Sequence, residues 1–241
     1  MILQVQQDGP VCRLTLNRPD RGNALGPAMV DALDDALSQA TQAGTRLLVL
    51  QGAGRNFCTG FDLAGLETLT DAILLDRFIR VELVLHRIHA APFTTMAIAR
   101  GRAYGAGADL FAACDRRIAE HAAVFAFPGG AFGLVLGTER LATRIGETAA
   151  RSVLLDGHEI SAAKALALGL ATAAIEASAI EPLISATTTA ATRLDPVTVA
   201  ALHAATRPGN GDAALAALVR SAARPGLHAR ITAYREASKR A

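Results

Sequence analysis

The sequence predicts an α/β fold that ends in a helical tail. Through the first half of the chain, apolar runs of strand length alternate with longer stretches whose apolar residues recur at helical spacing. From about Thr138 onward the pattern is mostly helical. Asp195-Pro196 then opens the last portion with a capping side chain and a proline at the first helical position. A chain of 241 residues suits one α/β domain with a small appendage. The division falls at that cap, between a core of residues 1–194 and a helical region of residues 195–241.

Each element has a local reason. Met1–Gln7 and Val11–Asn17 are strands on either side of the turn signal Asp8-Gly9. Gly26-Pro27 opens a helix reaching about Gln42, with Met29, Val30, Leu33, Ala36 and Leu37 on one face. Leu47–Leu50 is a short buried strand ending near Gly52. A second amphipathic helix runs from about Asp71 to Ala90 and presents Leu74, Leu75, Phe78, Val81 and Leu85 to the core or to a ligand pocket. Phe93–Ala99 is a strand, Ala106–Cys114 a helix, and Arg117–Ala119 and Val124–Phe127 are short strands. Ser161 reads as an N-cap and Gly169 as a C-cap. Ala186–Thr192 is biased in composition but helical, and Arg207–Asp212 is the best candidate linker.

Composition narrows the function. Net charge is only +2, which gives no reason to expect nucleic acid or a membrane surface as partner. The chain has no tryptophan and 4% aromatics, so Ala, Leu, Val and Ile must build the core. Cys12, Cys58 and Cys114 are far apart and form no CxxC pair; they read as small buried residues in a reducing compartment. With no basic leader and no apolar run of ~18 residues, a soluble cytoplasmic protein is expected.

Two glycine segments each follow a predicted strand: Gly52-Ala-Gly-Arg-Asn-Phe-Cys-Thr-Gly-Phe-Asp-Leu63, and Gly101-Arg-Ala-Tyr-Gly-Ala-Gly-Ala-Asp-Leu110. Neither suits a phosphate cradle. After Gly105 and Gly107 the third glycine of a dinucleotide fingerprint is replaced by Leu110, and neither segment has the lysine of a P-loop. His86 and His89 share a helix but have no suitable third ligand nearby, so no metal is expected.

Asn17-Arg-Pro-Asp-Arg-Gly-Asn-Ala-Leu25 resembles the NRP…NAL stretch of the crotonase (enoyl-CoA hydratase/isomerase) superfamily. Asn56-Phe-Cys-Thr-Gly-Phe-Asp-Leu63 resembles its F-S-A-G-x-D-L segment. Ala91–Gly101 through Cys114-Asp-Arg-Arg-Ile-Ala119 resembles its P-x-x-A-x-x-x-G-x-x-x-G-G-G-x-E-L…C-D-x-R-I-A run. The resemblance covers nearly the whole chain and implies a spiral of ββα units in two nearly perpendicular sheets. It also implies a homotrimer or hexamer and an acyl-CoA substrate, with coenzyme A as part of the substrate and no separate cofactor.

The same resemblance places an oxyanion hole on the backbone N–H groups of Phe61 and Ala106. Two fixed donors there would stabilise charge growing on a thioester oxygen, and Ala106 stands where a helix N-terminus adds to the field. Gly60, Gly105 and Gly107 would let a ligand approach the main chain. The coenzyme A contacts fall on Ala24 and Leu25 and on Thr59, Gly60, Asp62 and Leu63. Arg18 and Arg21 either meet phosphates or are solvated charges. The tail Ala233-Tyr234-Arg-Glu236 with Lys239-Arg240 resembles the family helix that covers coenzyme A; alternatively its basic end simply complements the helix dipole.

For catalysis, the first family glutamate falls on Asp109, one helical turn beyond Ala106. Asp109 is either an acid/base or a carboxylate placed to meet the helix dipole. The second falls on Gly129, which has no proton to give or take. The loop Gly133–Leu141 is about three residues shorter than is usual in the family, and Glu139 is its nearest carboxylate, with Glu82 a weaker alternative. Three activities follow: isomerisation or hydration of an enoyl-CoA through Asp109; another crotonase chemistry such as thioester hydrolysis, decarboxylation or C–C cleavage; or non-catalytic acyl-CoA binding. Gly129 and the short loop favour the last two.

Overall fold

The computed structural model describes residues 1–239 apart from Pro208 and Asn210. The expected linker therefore falls partly, and Arg240 wholly, outside the described residues. The main sheet has six strands in the order β1 (Leu3–Asp8), β2 (Val11–Leu16), β3 (Leu47–Gly52), β4 (Thr94–Ala99), β6 (Arg116–Glu120), β9 (Ala173–Ile175). Only β1 and β2 are antiparallel, joined by the Asp8-Gly9 turn; every later pair is parallel. Parallel neighbours need long crossovers, and helices α1 (Pro27–Gln42), α2 (Asp71–His89) and α3 (Ala106–Ala113) supply them.

A second, smaller sheet pairs β5 (Arg102–Tyr104), β7 (Val124–Ala126) and β8 (Ile160–Ser161). Single parallel bridges, Cys58 with Ala103 and Leu25 with Phe61, continue that layer. The chain thus repeats one move four times. A main-sheet strand (β2, β3, β4, β6) hands over to a short second-layer segment (Leu25, Cys58–Phe61, β5, β7), and a helix returns it. The fourth helix is α4 (Thr138–Ile145).

Strand alternation divides the core. Leu48, Leu50 and Ala97 face α1, α2 and α3 in the large apolar cluster, while Leu47, Val49, Met96 and Ile98 face the opposite way. That second face is covered by Ile184 and Ala191 of α7 (Ile180–Thr192). After α5 (Glu147–Asp156) and α6 (Ala162–Leu168), the described chain beyond α7 is helical: α8 (Pro196–Thr206), α9 (Asp212–Ala222) and α10 (Leu227–Ser238). Both expected caps are made: Ser161 Oγ accepts from the Lys164 N–H at 3.3 Å, and Asp195 Oδ1 from the Thr198 N–H at 2.9 Å. α9 and α10 pack back on α2. All three cysteines are free and buried. Among the described residues, no helix is long and apolar enough to cross a membrane and no group of side chains could hold a metal ion.

Candidate active site

The site forms where two second-layer segments run side by side. Gly60 has φ of +98°, and a Cβ there would lie 2.7 Å from the Tyr104 carbonyl oxygen and 3.5 Å from the Ala106 nitrogen. Only glycine accepts that backbone and that approach. The Leu25 N–H donates to the Gly60 carbonyl at 2.7 Å, and the Asp62 N–H donates to the Leu25 carbonyl at 3.1 Å. This alternation leaves the intervening Phe61 N–H turned away from the Leu25 segment. Ala106 is the first residue of α3, whose first internal bond is Asp109 N–H to Gly105 carbonyl at 3.0 Å. Among the described residues, neither the Phe61 nor the Ala106 N–H donates to a backbone acceptor. Two free donors therefore stand on adjoining segments, one at the positive end of a helix.

These donors border a cavity of about 340 Å³. Thr59, Gly60, Phe61, Gly105 and Ala106 form one wall, and Leu63, Phe78, Phe132, Leu134 and Leu136 form an apolar interior. Leu154 and Leu155 of α5 and Ile231 and Tyr234 of α10 close its outer side. Phe61 stacks on Phe78, with centroids 4.2 Å apart. Of the apolar residues expected on α2, only Phe78 reaches the cavity; Leu74, Val81 and Leu85 are core.

Asp109 is the one carboxyl group among the residues lining this cavity, and it is 4% exposed. Burial pushes its carboxyl well above the ordinary range; Arg140 acts against that shift, and Glu82 adds to it. Its Oδ1 lies against Gly137, where a Cβ would stand 2.1 Å away. Glu82 does not face the cavity. It forms a bidentate pair with Arg140, both bonds 2.7 Å, with side chains 2% and 6% exposed.

Gly129 lines the cavity from the 3₁₀ turn Pro128–Phe132, as its place in the motif implies. Glu139 is not brought to the cavity. It is exposed on the first turn of α4 and borders a separate small pocket with His86 and Arg207. Neighbouring helical residues point about 100° apart, so turning Arg140 inward turns Glu139 outward.

Ala24 and Leu25 are buried, and Gly107 packs so closely on Cys58 that a Cβ would lie 2.1 Å from its carbonyl oxygen. Arg18 pairs with Asp62 at 2.8 Å. Partial burial would raise the Asp62 carboxyl, but the Ala64 N–H and Arg18 outweigh this and hold it below its usual value. Arg21 is exposed, 3.9 Å from Asp20. Tyr234 lines the cavity and packs on Phe132 with centroids 5.1 Å apart, so α10 contributes to the cavity's lining.

Sequence reasoning missed three contributors. Asn23, fully buried at φ +57°, donates to the Ala53 and Asn56 carbonyls at 2.9 and 2.8 Å and clamps the loop before Leu25 to the one after β3. Its signal was available, since asparagine tolerates left-handed backbone. Tyr104 lines the cavity and donates its hydroxyl to Glu159; burial and that carboxylate push it to about 12. The Glu82–Arg140 pair is the third.

One apolar crevice thus brings together two main-chain N–H groups without a backbone acceptor and a single lining carboxyl group, among the described residues. The enoyl-CoA hydratase/isomerase family model matches residues 6–232. The probable enoyl-CoA hydratase echA6 of Mycobacterium tuberculosis is 34% identical over 174 residues, covering 70% of this chain and 69% of its own. A solved structure from Bordetella parapertussis, assigned to enoyl-CoA hydratase/isomerase, superposes with a TM-score of 0.95 at 42% identity, covering 97% of this chain and 98% of that one. An enoyl-CoA hydratase/isomerase from Xanthobacter autotrophicus Py2 superposes at 0.85 with 26% identity, covering 99% and 98%. The chain belongs to the enoyl-CoA hydratase/isomerase family and has the crotonase fold.

Proposed function

We propose that the protein is an acyl-CoA enzyme that moves a proton at the carbon next to the thioester, with Asp109 as its single acid/base. The observation that carries this reading is the pairing of one buried carboxyl with two free N–H donors on the same cavity. A 3-enoyl-CoA seated with its thioester oxygen between Phe61 and Ala106 would lose an α-proton to the Asp109 carboxylate. The C–H electron pair becomes the enolate, its charge held by the two donors. The same carboxyl then returns the proton at the γ-carbon, and the double bond moves into conjugation. No electrons are gained or lost, so the step needs no redox cofactor, and the two N–H donors do the work of polarising the thioester oxygen.

Burial suits Asp109 to this role, because a carboxyl group with a raised pKa is a stronger base when ionised and a ready acid when neutral. Hydration would need one group to activate water and another to protonate carbon, and Gly129 supplies nothing at the second position. Gly129 equally favours a second reading, in which acyl-CoA is bound and hydrolysed or merely held. Incubation with a 3-enoyl-CoA and a 2-enoyl-CoA, followed by product analysis, separates them. Conjugated thioester from the first and no hydroxyacyl-CoA from the second supports isomerisation; free coenzyme A supports hydrolysis; unchanged substrates with tight binding support the holding role. The same reading takes the chain as a cytoplasmic homotrimer or hexamer, which sedimentation would check.

A further inference from the structure

Two buried polar atoms on helices that pack together have no hydrogen-bond partner among the described residues: Oδ1 of Asp109 on α3 and Nε of Arg140 on α4. Gly137, the N-cap of α4, brings that helix onto the Asp109 carboxyl, and Arg140 lies one turn further along. The other two guanidinium nitrogens of Arg140 are both fixed by Glu82 of α2 at 2.7 Å. With 6% and 2% exposure, the pair has little water to screen its field. The charged groups whose fields reach Asp109 are Arg140 of α4, which favours its carboxylate, and Glu82 of α2, which disfavours it. Behind them, His86 faces the pair together with Arg207 and Asp212.

We infer that Arg140, held in place by Glu82, is the positioning residue that sets the charge of Asp109 and so lets this carboxyl act as both base and acid. The inference rests on the reading of Asp109 as the acid/base. In an apolar cavity without a nearby cation, Asp109 would stay neutral and could not take a proton. An unpaired arginine would hold it ionised, and it could not return one. Glu82 offsets part of the arginine's effect and, through its two hydrogen bonds, fixes the guanidinium in place, which leaves the carboxyl between these limits. The arrangement replaces a second catalytic carboxylate at residue 129 with a tuned single one.

The test is a pH titration of the Asp109 carboxyl carbon by ¹³C NMR in protein labelled at aspartate, with Asp109→Asn identifying the signal. Glu82→Gln removes the charge that disfavours the carboxylate and should lower the midpoint by about one pH unit or more. Glu82→Gln combined with Arg140→Met removes a pair whose net effect favours the carboxylate and should move the midpoint above that of the parent as well as above that of Glu82→Gln. Arg140→Lys should stay near the parent. The acid limb of the kcat profile should follow the same order. A midpoint that stays put in Glu82→Gln overturns the inference, and if that variant does not fold, a double-variant midpoint no higher than the parent's overturns it. If the carboxyl midpoint moves and the limb of kcat does not, the electrostatic role stands and the assignment of Asp109 as acid/base falls.

Discussion

Replacing Asp109 by asparagine should stabilise the protein at alkaline pH relative to acid pH while abolishing turnover. Asp109 is 4% exposed, and its Oδ1 has no hydrogen-bond partner among the described residues. Burial raises its folded value well above 3.8, so protons bind more tightly in the folded chain than in the unfolded one. With that sign, stability from this group is fully present below the unfolded value, falls as pH rises toward the folded value, and stays low above it. Leaving a buried polar group unmatched costs about 1–3 kcal/mol. For a chain of this size each kcal/mol shifts Tm by about 2–4 °C, so the effect is about 2–12 °C. Asparagine does not titrate, so whatever its amide costs is the same at every pH. The assay is thermal unfolding of both proteins at pH 4 and pH 8.5. The difference in Tm, variant minus parent, should be more positive at pH 8.5 by an amount in that range. An equal difference at both pH values would refute the claim that Asp109 is buried against its own ionisation.

Three further outcomes follow from the geometry. Glu82→Gln strands the Arg140 guanidinium in the interior and should cost about 3–5 kcal/mol in denaturant unfolding, whereas Glu82→Gln with Arg140→Met should recover most of that. Gly129 has room for a side chain, since a Cβ would meet the Leu134 carbonyl oxygen at 3.4 Å; Gly129→Glu should fold and gain hydration of a 2-enoyl-CoA, read as 3-hydroxyacyl-CoA by mass spectrometry. Gly60→Ala forces a Cβ to 2.7 Å from the Tyr104 carbonyl at φ +98°. It should lose about 1–3 kcal/mol of stability and, by displacing the Phe61 N–H, lower kcat by about 10²-fold or more, whereas Ala106→Gly should leave kcat within a few-fold.

How far the sequence spoke depends on how local each feature is. Helices α1, α2 and α3 were expected from the sequence, α1 from its periodicity and its Gly-Pro start and α2 from its periodicity, and their ends agree within a residue or two. β5 escaped notice because three residues inside a glycine segment have no alternation to read; its partners are β7, some twenty residues on, and a single bridge at Cys58. β8 and β9 are too short to interrupt a helical pattern. Phe61 and Ala106 were named through the family resemblance; the sequence by itself offered only glycines flanking a helix start, and Gly60, Phe61, Gly105 and Ala106 all line the cavity. The Glu82–Arg140 pair has none, since its members are 58 positions apart. For the same reason the nearest carboxylate in sequence, Glu139, was a poor guide: distance along a helix does not say which side of it faces the ligand.

The central claim is that Asp109 exchanges a proton with the carbon beside a thioester whose oxygen is held by Phe61 and Ala106. Mass spectrometry of a 3-enoyl-CoA incubated with the protein in heavy water, with Asp109→Asn in parallel, tests it most directly. The account predicts solvent deuterium in the recovered substrate and in its conjugated product, lost in the variant. No incorporation by the parent protein, or incorporation that survives in Asp109→Asn, would contradict it.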